Sequence, residues 1–102
     1  MADMMDLGKM AECSQNEPVK KDLLKTTGSN IVVICLEAGQ EIPPHPEPYA
    51  VVFIVLLGEG VITAGNVRHP VQPLHLVSIR KDENRGIQSD QRMLILGIRD
   101  DV

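Results

Sequence analysis

The chain has 102 residues, 43% of them apolar, and its ten basic and fourteen acidic side chains give a formal net charge of −4. One hydrophobic core in one domain is the expectation at that length. No basic cluster is denser than Lys20-Lys21 or Arg80-Lys81, which argues against binding nucleic acid by neutralising phosphates, and the apolar run Val51–Leu57 falls far short of the ~20 residues a membrane helix needs.

Taken from the N-terminus, residues 1 to 20 mix methionine, charge and polar groups without a sustained period. They read as an arm with room for a short strand, whose methionines cover a barrel edge or a partner subunit; a frayed terminus is the alternative. The only helix candidate is Lys20–Lys25 (KKDLLK), one or two turns long. The chain is therefore divided into an arm, residues 1–30, and a barrel, residues 31–102. Cys13 lies in the polar arm and Cys35 in an apolar run, a pair too few and too differently placed for a disulfide framework. Cys35 reads as an inert buried thiol. With no signal peptide evident, a reduced, cytoplasmic protein is the expectation.

From Ile31 onward, short apolar runs alternate with turn residues. Ile31–Leu36, Val51–Leu57, Val61–Ala64, Leu74–Ile79 and Met93–Ile98 are each rich in Val, Ile and Leu and each end on Gly, Asn, Arg or charge. Strands at this spacing predict an all-β sandwich or barrel, with Gly65-Asn66 as a hairpin turn. Tyr49 and Phe53 are the only aromatic residues, so β-branched and aliphatic side chains must fill the core, each contributing roughly 1.5–3 kcal/mol on burial. Ile31–Leu36 and Val51–Leu57 are apolar on both faces, as strands covered on both sides are. A homodimer is predicted on that ground, and packing by the arm alone is the competing account.

The stretch GQEIPPHPEPYAVVFIVLLGEG, residues 39–60, fences His45 and Glu47 with Pro43, Pro44, Pro46 and Pro48. Proline fixes its own φ and restricts the residue before it, so the backbone there is stiff. If this is one strand, residues 45, 47, 49, 51 and 53 share a face, and a pocket would be lined by His45, Glu47, Tyr49, Val51 and Phe53. The plainer alternatives are a strand-entry histidine bonded to a neighbouring carbonyl and a solvated loop glutamate.

The pattern Gly39, five residues, His45-x-Glu47, an apolar strand and Gly58-x-Gly60 resembles the first motif of the cupin superfamily, and Leu74–Gln88 resembles the second in outline. The resemblance spans roughly residues 31 to 98 and implies a cupin-type β-barrel, the jelly roll or double-stranded β-helix. Against the family pattern, His45 stands at the first histidine position, Glu47 replaces the second histidine and Val51 replaces the motif glutamate. Arg85 stands where the second motif carries a histidine, Leu74-His75 replaces a Gly-Asp turn and Arg80 a proline.

Two of the family's four metal ligands therefore have counterparts, His45 and Glu47, with His75 as a candidate third for a divalent transition metal (Mn, Fe, Ni or Zn). A guanidinium at position 85 would repel such a cation and attract an anion. It would pair with Glu47 or with a carboxylate ligand; a loop arginine on the surface is the alternative. Three functions follow: a module binding a small anionic molecule, a metal-dependent oxygenase or isomerase, and a structural or sensory dimerisation domain.

Overall fold

The computed structural model describes residues 3–100. A single-turn helix, α1 (Leu7–Met10), precedes nine strands: β1 (Val19–Lys25), β2 (Ser29–Leu36), β3 (Glu41–Pro46), β4 (Val51–Leu57), β5 (Gly60–Ala64), β6 (Val67–Val71), β7 (Leu76–Ile79), β8 (Asn84–Ser89) and β9 (Met93–Asp100). They form two antiparallel sheets, β1-β2-β9-β4-β7 and β3-β8-β5-β6. The sheets close on one another as an all-β jelly-roll barrel.

Alternation places the core. Val32, Ile34 and Leu36 of β2, Val51, Phe53 and Val55 of β4, and Met93 and Ile95 of β9 point inward to meet Ile62 and Ile87 of the smaller sheet. A chain with two aromatic residues thus fills its interior with branched aliphatic side chains, which suit a pleated surface. Between β5 and β6 the turn falls at Gly65-Asn66, where Gly65 takes φ 62°. That left-handed first position is what a two-residue hairpin turn with leading glycine requires.

Lys20–Lys25 is strand, not helix. Val19, Lys21 and Leu23 are half-buried and alternate with exposed Lys20, Asp22 and Leu24, a period of two set by pairing with β2, where Val19 faces Cys35 and Lys21 faces Val33. The weak helical preference of KKDLLK yields to a sheet edge that would otherwise lack partners. The prolines obey the same edge logic. Pro43, Pro44 and Pro46 sit on β3 and Pro70 on β6, the two outer strands of the smaller sheet, where a missing N–H leaves no ladder bond unmade.

Cys13 and Cys35 form a disulfide, contrary to the expectation of two unpaired thiols. Asp6 caps α1 by accepting the Lys9 N–H at 3.1 Å, and the following residues cross the outer face of the larger sheet, where Ala11 and Cys13 pack on Val33, Cys35 and Leu94. The two Cα atoms stand 5.1 Å apart, a normal span for the bond. Among the described residues no free cysteine is left, so the argument from unpaired thiols for a reducing compartment loses its premise. The arm covers only one end of the outer face. Leu24 and Leu76 remain 47% and 60% exposed, and Ile31, Val52, Ile54, Leu96 and Ile98 are half-buried. No helix among the described residues is long and apolar enough to cross a membrane.

Candidate functional site

Residues 45 to 53 do not form one strand. β3 ends at Pro46 in the smaller sheet, and β4 begins at Val51 in the larger one, so the intervening loop crosses the barrel mouth. Because both sheets face the same interior, His45, Tyr49, Val51 and Phe53 nevertheless line a common cavity of about 240 Å³. Glu47 is not among its lining residues.

The walls are apolar, from Val32 and Ile34 on β2, Ile42 on β3, Val51 and Phe53 on β4, and Ile87 on β8. The polar groups are His45, Tyr49, Arg85, Arg99 and Lys20. No described lining residue is acidic.

Arg85 is the group the sequence left most open. It lies on β8, not in a loop, and is only 4% exposed. β8 runs between β3 and β5, and its polar sequence, NRGIQS, hides a strand whose positions 85, 87 and 89 face inward. His45 is its direct cross-strand neighbour. The register explains how: Ile42 pairs with Ile87 and His45 with Arg85, so β3 spends three steps where β8 spends two. This bulge at Pro43-Pro44 turns His45 onto the inner face. Gly86 makes room for it, because a Cβ there would lie 2.9 Å from both Pro44 N and Pro44 Cγ.

The Arg85 guanidinium is held by one nitrogen. NH2 donates to the carbonyls of Arg80 at 3.1 Å and Glu83 at 3.2 Å, with the Glu47 carbonyl farther at 3.5 Å. The Asp82 N–H donates to that same Glu47 carbonyl at 2.9 Å, tying the β7–β8 turn to the loop after β3. Arg85 therefore meets Glu47 through its backbone, not in the carboxylate pair expected from the sequence. Its Nε and NH1 are buried without an acceptor. Tyr49 lies beneath two cations, with Arg85 Cζ 5.1 Å and Arg99 Cζ 5.3 Å from the ring centroid, close enough for cation–π attraction. Arg99 also donates from NH1 to Tyr49 Oη at 3.4 Å.

His45 is 45% and Glu47 33% exposed at the side chain, and His45 Nε2 stands 3.5 Å from Glu47 Oε1. The His45 Nδ1 bonds the Pro43 carbonyl at 2.9 Å. A carbonyl only accepts, so Nδ1 carries the N–H and Nε2 faces Glu47. His75 is elsewhere: its Nδ1 accepts the Gln72 N–H at 3.3 Å in the turn before β7, where Leu74 takes φ 75°, and it borders a different hollow with His69. Among the described residues no three His, Cys, Asp or Glu side chains gather as a metal would require. The donor set, one imidazole and one carboxylate beside a buried guanidinium, does not fit a resident transition metal, which takes about three protein ligands.

Two residues that sequence reasoning missed, Arg99 and Lys20, add positive charge to the cavity lining. Arg99 was legible in principle: Met93, Ile95, Gly97 and Arg99 share one face of β9, so extending the run past Ile98 puts a guanidinium inside. Lys20 became legible only once its segment was known to be a strand paired opposite Ile34.

No family model and no curated protein matches the sequence. Solved structures match it in shape. An RmlC-like cupin protein from Desulfovibrio desulfuricans superposes with a TM-score of 0.88 at 19% identity, covering 98% of this chain and 97% of that one. An uncharacterised conserved protein with a double-stranded β-helix domain from Klebsiella pneumoniae gives 0.88 at 19%, covering 98% and 90%. A conserved protein of unknown function from Streptococcus pyogenes gives 0.84 at 20%, covering 100% and 90%. With two antiparallel sheets closing on one interior, and with cupin and double-stranded β-helix structures superposing along nearly its whole length, the chain has the cupin fold.

Proposed function

We propose that the protein binds a small anionic molecule in its barrel, with Arg85 as the principal recognition group. The observation that carries this reading is an arginine 4% exposed, with two guanidinium nitrogens lacking acceptors and, among the described residues, no carboxylate paired to it. Burying a charge without a counter-charge costs several kcal/mol, so a chain that keeps one gains from an anion that arrives later. Arg99, Lys20 and the absence of acidic lining residues give the cavity the same sign. Fold alone does not choose a chemistry, and the missing third ligand weighs against the metal-dependent oxygenase or isomerase.

The test is thermal stabilisation by small carboxylates, of the parent and of Arg85→Gln. At a hundredfold the dissociation constant a ligand stabilises by about 2.7 kcal/mol, and the variant should lose that shift. Equal shifts in both proteins would refute the role given to Arg85.

The homodimer is a second proposal, supported by the outer face of the larger sheet. Cross-strand pairing sets Ile98 between Ile31 and Val52, and Ile54 between Leu96 and Leu76. These side chains form one flat apolar area beyond the reach of the arm, and a second copy laid on the same face would cover it symmetrically.

A further inference from the structure

We propose that the anion is an amphipathic monocarboxylate, a single carboxylate head on an unbranched or aromatic apolar body of about five or six carbons; this rests on the anion-binding reading above and narrows it. The cavity is polarised. His45, Tyr49, Arg85 and Arg99 gather where β3 and β9 end and β4 and β8 begin, while Phe53 and Ile87 form the walls one same-face position further in and Ile34, with exposed Lys20 opposite it on β1, lies deeper. A ligand charged at both ends would set its second charge against those aliphatic walls, at a cost of several kcal/mol unless it reached past them to Lys20. A head without a body would leave the walls wet.

Size sets the length. At roughly 30 Å³ for each water-sized unit, about 240 Å³ holds about eight non-hydrogen atoms. The head accepts from Arg85 and Arg99, which both contact the Tyr49 ring.

The experiment is calorimetric titration of the intact protein with the sodium salts of straight-chain carboxylates from acetate to decanoate, with succinate and inorganic phosphate as comparisons. Each added methylene should tighten binding about fourfold until the chain reaches about five to seven carbons, after which the gain stops. Arg85→Gln should weaken the best binder at least tenfold. Arg99→Gln, at a half-exposed position, should weaken it several-fold. Acetate, succinate, phosphate and octanoate binding alike, with all lost in Arg85→Gln, would leave the anion site standing and overturn the amphipathic ligand. No binding by any of them, or binding indifferent to both arginine variants, would overturn both readings.

Discussion

The disulfide makes the sharpest demand on stability. Replacing Cys13 with serine removes the bond while leaving Cys35 buried in β2 and the sheet intact. The bond closes a segment of sequence separation 22, for which the loop-closure relation gives about 3.4 kcal/mol of stabilisation through the unfolded chain. Each kcal/mol shifts the melting temperature of a domain near this size by roughly 4–8 °C, so Cys13→Ser should melt roughly 14–27 °C below the parent. Urea unfolding under non-reducing conditions measures the free energy directly, and excess dithiothreitol should bring the two proteins to a common midpoint. The freed arm should also expose Val33 and Leu94, visible as faster amide exchange in the middle of β2 and at the start of β9. Coincident midpoints without reductant would refute the reasoning, as would two titratable thiols in the denatured, unreduced parent.

Gly86→Ala should destabilise by about 1–3 kcal/mol in urea unfolding, the usual range for overpacking, because its Cβ meets Pro44 at 2.9 Å; an unchanged midpoint would show that the bulge is not set by that contact. Metal analysis of protein purified without chelator should find no stoichiometric transition metal, whereas one tightly held ion per chain, lost in His45→Ala, would mean the donor set has been misjudged. Sedimentation should give twice the 11.2 kDa chain mass, falling to one in Ile54→Lys or Leu76→Lys; a monomeric parent would remove the dimer.

Periodicity and turn residues carried most of the fold. Val51–Leu57 is strand β4 with the bounds read from the sequence, and the hairpin at Gly65-Asn66 falls where its residue types place it, because these features depend on local backbone preference and on a hydrophobic run long enough to define itself. The resemblance to the cupins held at the level of fold for the same reason: glycine turns and apolar strands keep their rhythm when site residues change. Strands without an apolar signature were invisible. Asn84–Ser89 reads as loop because its inward positions hold Arg85 and Ser89 as well as Ile87, and Lys20–Lys25 reads as helix because only pairing with β2 selects its extended form. The disulfide was hidden by the 22 residues separating its partners, a distance that only the arm's path across the sheet closes. For the site, the sequence by itself determined that a stiff, proline-flanked His45 and Glu47 precede a buried strand and that Arg85 stands at a position where the resembling family carries a ligand. The tertiary structure alone decided that Arg85 is enclosed while Glu47 is not, and that Arg99 and Lys20 join it, because burial and proximity between residues far apart in the chain are properties of the closed barrel and of no local stretch.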